Sequence, residues 1–217
     1  MRYVSAGAAA QNTRRSYSRE DPQVRRQELI EATFRCLGKH GHARTSVRVI
    51  AAEAGVSPGL IRHHFGEKKQ LISATYRYAS DLLFNHIKNA VDATEGDDWA
   101  KLVTFIEAGF TPPILSKEYI TVRFVLWGVA MTDAVIRQVH SEVNQRYRRL
   151  MSRLLSDVVG NRMSDQDVKS VTAALAALQN GLWLDWSLNP RQQTPTDLRE
   201  TALQLIKQHI SPPAPSH

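Results

Sequence analysis

A single cysteine, Cys36, leaves no pair for an internal disulfide. Its place in an amphipathic stretch fits an inert core thiol in a reducing cytoplasm. No apolar run approaches the about 20 residues that a membrane-spanning helix needs. The alanines 8–10 are too few for the apolar region of a signal peptide. Alternation of strand type is missing over any useful length, and no internal repeat is visible. His40, His42, His63 and His64 are grouped in sequence, yet there is no H-E-x-x-H spacing and no cysteine pair beside them. A glycine-rich phosphate loop and a nucleophile elbow are also missing. The expectation is a protein that is not an enzyme, with no cofactor, no metal site and no membrane association.

What the sequence does contain is uneven charge. Residues 1–80 hold 14 Lys and Arg against 6 Asp and Glu, whereas residues 81–217 hold 14 against 15. A strongly basic first third on a nearly neutral remainder points to a polyanion-binding module joined to a body with other duties.

Apolar residues recur at helical spacing along most of the chain, which predicts an all-α protein of about nine helices. Residues 1–20 lack that periodicity and are expected to be a disordered basic arm. Arg14, Arg15 and Arg19 suit it for DNA contact, and a solvated tail without a role is an equally open reading. Asp21-Pro22 has the form of an N-cap and a first helical residue. Leu29, Ile30, Thr33, Phe34 and Leu37 then mark a buried face, and Gly41 ends the helix. Thr45 is placed to cap a second, short helix with Val47, Ile50, Ala51 and Ala54 inside. Gly55 ends it, Ser57 is placed to cap a third, and Pro58 sits where a missing N–H costs nothing. A long fourth helix runs from about Glu67 to Val91. Four more patterns follow the one near Trp99–Phe110, at about 116–131, 133–159, 165–187 and 195–210. The expected domains are 21–75, for DNA binding, and 76–211, for ligand binding and dimerisation, with 212–217 a frayed tail.

The stretch GVSPGLIRHHF, residues 55–65, carries the chemistry. Ile61 and Phe65 lie four apart and define one inner edge. Ser57, Pro58, Gly59, Arg62 and His63 then face outward. The start of this helix bears no bulky side chain, so its backbone can approach a groove closely, and its free N–H groups suit a phosphate. Arg62 and His63 can donate to phosphates or base edges. With small Ala51 and Ala54 at the crossing and Gly55 at the turn, residues 45–65 have every part of a helix-turn-helix.

The run TSVRVIAAEAGVSPGLIRHHFGEKKQL, with the helix before it, resembles the DNA-binding domain of the TetR family of bacterial transcriptional regulators. That resemblance implies phosphate contacts from Thr45, Ser57 and Lys68, and a base-reaching position for Arg48. It also implies major-groove positions for Pro58, Gly59, Arg62 and His63. The sequence departs from the family at Arg62 and His64, where aromatic residues, commonly tyrosine, are frequent. For His64 a half-buried place near the helix crossing is the expectation.

VRFVLWGVAM (122–131), the region around Tyr147 to Leu150, and ALAALQNGLWLDWSL (174–188) resemble the ligand-binding and dimerisation domain of the BetI-like branch of that family. Leu175, Leu178, Leu182 and Trp186, with Ala174, form an apolar stripe. Together with Leu205, and with Leu198, Ala202 and Ile206, it is expected to pair with a second copy as a four-helix bundle; an intramolecular core is the alternative. Phe105, Phe110, Tyr119, Phe124, Trp127 and Trp183 are candidates for an effector cavity, although aromatics at helical spacing also serve as ordinary core. Aromatic faces attract quaternary ammonium, so a cationic, choline-like effector is one option among small organic molecules. Glu107, Glu118, Asp133 and Asp185 show no grouping that would serve a cation. The functional expectation is a cytoplasmic, bacterial, homodimeric repressor, at the nucleoid when bound. It would hold a pseudo-palindromic operator in double-stranded DNA and be released by its effector. An activator, or an architectural or division-linked DNA-binding protein of the same fold, is the alternative.

Overall fold

The computed structural model describes residues 21–210. The arm (1–20) and the tail (212–217) lie outside the described residues. The described chain is built from nine α-helices with no strand: α1 (Pro22–Arg44), α2 (Val47–Glu53), α3 (Pro58–Phe65), α4 (Lys68–Asp92), α5 (Asp98–Ala108), α6 (Lys117–Thr132), α7 (Ala134–Val159), α8 (Asp165–Leu188) and α9 (Pro195–His209). No described helix is long and apolar enough to cross a membrane.

Local chemistry explains the boundaries. The Asp21 carboxylate accepts from the Gln23 N–H, and Pro22 follows at the first helical position. Gly41 adopts φ 67° and breaks the helical path of α1, leaving one further turn to Arg44. Ser116, Asp133 and Ser164 cap α6, α7 and α8 through their side chains, and Thr194 with Asp197 forms a reciprocal capping box on α9. Each such cap is worth about 1 kcal/mol.

Two apolar clusters organise the helices. The smaller joins α1 to α2, α3 and the start of α4 through Leu29, Cys36, Ile50, Ala51, Ile61, Phe65 and Leu71. The larger runs through α4 to α9, with Phe34 and Leu37 of α1 reaching into it, and includes Ile87, Leu102, Phe105, Ile120, Leu126, Leu155 and Trp183. Helix α1 therefore belongs to both. It meets α6 at Gly38, where an added Cβ would lie 3.1 Å from Glu118 Cγ and 3.4 Å from a Val122 methyl. A side chain at this position would need the Glu118 and Val122 side chains to give by a few tenths of an ångström, so glycine marks a close crossing.

Candidate nucleic-acid interface and effector chamber

Helix α3 is fixed from the inside. Ile61 is 2% exposed and Phe65 is 6% exposed, and each such burial contributes roughly 1.5–3 kcal/mol. Gly55, at φ 66°, turns the chain between α2 and α3. Arg26 of α1 adds a clamp: its guanidinium lies 4.1 Å from the Phe65 ring centroid and donates to the His64 carbonyl at 2.9 Å. Nothing in the spacing of α1 marks Arg26, because its partner is 38 residues away. With the inner edge so held, Ser57, Pro58, Gly59, Arg62 and His63 are all exposed, and Arg48 of α2 is exposed near them in sequence. His64 is half-buried, and burial, followed by His63, lowers its pKa.

Two sequence expectations need correction. Thr45 does not cap α2. Its side chain is fully buried, and its hydroxyl donates to the carbonyls of Cys36 (3.2 Å) and Gly41 (2.6 Å). The hydroxyl closes the α1 terminus rather than the start of α2. Ser46 is the cap, accepting from the Val49 N–H. Ser57 does occupy the N-cap position of α3, but its side chain makes no capping hydrogen bond.

Helix α2 is held to α1 by Glu53, which accepts from Arg35 at 2.8 Å and Lys39 at 3.2 Å. The Arg35 hydrogen bond, then that from Lys39, lowers the Glu53 pKa. At the start of α4, Lys68 is half-buried, and that burial lowers its pKa. Lys68, His42 and Lys69 line a cavity of about 290 Å³ against Val129, Thr132, Asp133 and Ile136 from the α6–α7 corner. Lys69 pairs with Asp133 at 3.0 Å across this junction.

Among the six aromatics considered for an effector chamber, Phe105, Phe110, Tyr119 and Trp183 are buried, while Phe124 and Trp127 are half-buried. Phe110 packs on Trp183 (6.5 Å between centroids) and Phe124 on Trp127 (5.5 Å), whereas Tyr119 faces Phe34 of α1 (6.3 Å). Phe105 lies 5.1 Å from Tyr147, an aromatic not counted among the six. Between the indoles of Trp127 and Trp183 sits Arg123, which the sequence reading passed over. Among the described residues no three His, Cys, Asp or Glu side chains form a group able to hold a metal.

Helix α8 carries two stripes. Val168, Thr172, Ala176, Gln179 and Trp183 are buried; Val171, Leu175, Leu178, Leu182 and Trp186 stay half-exposed. Val171, Ala174, Leu175 and Leu178 form an apolar groove with Leu205, Ile206 and Ile210. On α9, Leu198 and Ala202 are 0% and 3% exposed within the chain's own core. Their expected place on a face for a second copy is therefore corrected; of that set Leu205 stays half-exposed, and Ile206 floors the groove while packing inward.

This geometry can be set beside known proteins. The profile of bacterial regulatory proteins of the tetR family matches residues 29–75, and that of the BetI-type transcriptional repressor C-terminal domain matches residues 99–211. The chain belongs to the TetR family. It is a BetI-type member of these DNA-binding transcriptional regulators. The HTH-type transcriptional regulator BetI of Vibrio campbellii is 30% identical over 172 residues, spanning 78% of this chain and 84% of the relative. BetI of Burkholderia ambifaria is 29% identical over 188 residues, spanning 87% and 93%. A solved structure from Pseudomonas aeruginosa PAO1, described as a transcriptional regulator, superposes with TM-score 0.81 at 32% identity, covering 92% of this chain and 96% of that one. A regulator from Saccharomonospora viridis, solved in complex with choline, has TM-score 0.75 at 22% identity, covering 87% and 98%. At that identity the likeness to the second structure is one of fold.

Proposed function

We propose that this TetR-family protein is a homodimeric repressor, released from a pseudo-palindromic operator when a small organic molecule binds its C-terminal helices. The observation that carries this reading is the outward face of α3, basic at one end and free of bulk at the other. Residues 21–75 form the DNA-binding unit and 76–211 the ligand-binding and dimerisation unit. Ser57 and Lys68 take phosphates; Pro58, Gly59, Arg62 and His63 enter the major groove; Arg48 stands beside them. One such helix reads only a few base pairs, whereas two set about 34 Å apart read both halves of a palindrome. The half-exposed stripe of α8, with Leu205, supports pairing of two chains through α8 and α9. The protein acts in the cytoplasm.

Release is a population shift, and the effector must bind one state better than the other. The close crossing of α1 and α6 at Gly38 and the Lys69–Asp133 pair support α6 as the transmitter, beside α4, which joins the two units. A small displacement of α6 tilts α1, and with it α3, and changes the spacing of the two recognition helices.

Arg62→Ala is expected to weaken operator binding by about 1–3 kcal/mol, with preference relaxed at one position per half-site. Titration of single-base operator variants checks this; a loss uniform over all variants assigns Arg62 to phosphate instead.

A further inference from the structure

Arg123 of α6 is 8% exposed, yet no carboxylate pairs with it among the described residues. Its guanidinium carbon lies 5.0 Å from the Trp127 ring centroid and 4.9 Å from that of Trp183. Its Nη2 donates to Asn180 Oδ1 at a long 3.3 Å, and its Nε is buried with no acceptor. One residue before Asn180, Gln179 is 6% exposed; its Oε1 accepts from the Tyr147 hydroxyl, and its Nε2 also lacks an acceptor. Arg123 thus keeps a buried, unsatisfied cationic donor where α6 meets α8, and the Gln179 amide nitrogen, pressed against Gly109 at the end of α5, is a second buried donor without an acceptor. Burying an uncompensated charge is expensive, and buried donors without acceptors are rare in native structures.

The Tyr119 hydroxyl, which donates to the Ala79 carbonyl, gives the guanidinium a neutral hydrogen-bond partner, but no carboxylate among the described residues answers its charge. Glu107 engages Arg199, Asp133 engages Lys69, Asp185 accepts from Asn189, and Glu118 is exposed beside Gly38. A quaternary ammonium fares worse than an anion here. The seat between two indoles that would attract it already holds the chain's own cation. A cavity of about 220 Å³ lies on the outer side, lined by Trp127, Ala130, Met131, Arg137 and His140, so Trp127 is a wall common to that cavity and to the guanidinium. Arg137 brings a second positive charge to it. His140, with Nδ1 2.5 Å from the Tyr76 hydroxyl, has its pKa lowered by burial and then by Arg123.

We infer that the effector is a small organic acid. Its carboxylate takes Arg123 Nε, and its apolar body lies against Trp127 and Trp183. This deepens the regulatory reading above and rests on it for the consequence at DNA, whereas binding of the acid is a separate observable.

The test uses the full-length protein with two matched pairs, benzoate with benzamide and hexanoate with hexanamide, and with choline. Binding is read by tryptophan fluorescence and by melting temperature, at millimolar ligand. The wild type is expected to hold a carboxylate at least about tenfold more tightly than its amide, as charge-assisted hydrogen bonds to a buried guanidinium require. Arg123→Gln is expected to remove that preference and Arg123→Lys to retain part of it. Should Arg123→Gln not fold, the wild-type pairs decide alone. Amides or choline binding as well as the acids overturns the inference, as does a wild type that responds to neither acid. Operator release is followed in parallel. A carboxylate that binds without releasing DNA overturns the regulatory reading and leaves the anion seat standing; release by choline with no preference for acids does the reverse.

Discussion

Leu178→Asp is expected to turn the proposed dimer into a monomer in sedimentation velocity, with little change in the melting of the separated chain. Leu178 is half-exposed on a single chain and lines the apolar groove of α8 and α9, so the carboxylate stays hydrated when the chain is alone. Pairing about a two-fold axis buries two such carboxylates without partners. Each uncompensated charge costs roughly 3–5 kcal/mol, so the two together raise the dissociation constant by on the order of ten-thousandfold or more. Operator affinity falls with it, because a monomer reaches one half-site. A dimer that survives the substitution assigns pairing to another face.

Phe65→Ala is expected to cost roughly 3–5 kcal/mol of the stability of the DNA-binding unit, the range for removing a buried ring from a packed core. The side chain serves twice, as the anchor of α3 in the smaller cluster and as the face on which Arg26 rests. Losing both frees the end of α3 and with it the orientation of Arg62 and His63. Denaturant melts followed by circular dichroism are expected to show an early transition that the wild type lacks. The larger cluster shares α1 with the smaller one but keeps its own packing from α4 to α9, so dimer formation is expected to persist. A single unshifted transition with full operator affinity contradicts this account of how α3 is held.

The legible parts of the sequence were those in which one element carries its own instruction. Ile61 and Phe65, four apart after a Ser-Pro start, define the buried edge of α3, and the exposed set follows from them by helical geometry. Caps and breakers at Asp21, Gly41 and Gly55 act within a few residues and were readable in the same way. What escaped depends on partners far along the chain. Thr45 looked like a cap because threonine before an apolar run commonly is one; the carbonyls of Cys36 and Gly41 take its hydroxyl, and Ser46 inherits the task. On α9, periodicity marks Leu198, Ala202 and Ile206 as one face without naming the body that covers it, and that body is the chain's own core. Arg123 sits in an apolar helix where a lone arginine reads as a surface residue. Only the packing of α8 against α6 reveals that it is buried between two indoles without a counter-ion.

The central claim is that the outer face of α3 meets the DNA. Gly59 lies on that face, where an added Cβ would meet only Ser57 Oγ, at 3.8 Å, so Gly59→Glu introduces a negative charge without disturbing the fold. Arg149→Glu, at an exposed position on α7, makes a larger change in net charge away from that face. Fluorescence-anisotropy titration of both variants against one labelled operator separates local contact from overall charge. The account predicts near-complete loss of binding for Gly59→Glu and a much smaller effect for Arg149→Glu. Wild-type affinity in Gly59→Glu, or the larger loss in Arg149→Glu, would contradict it.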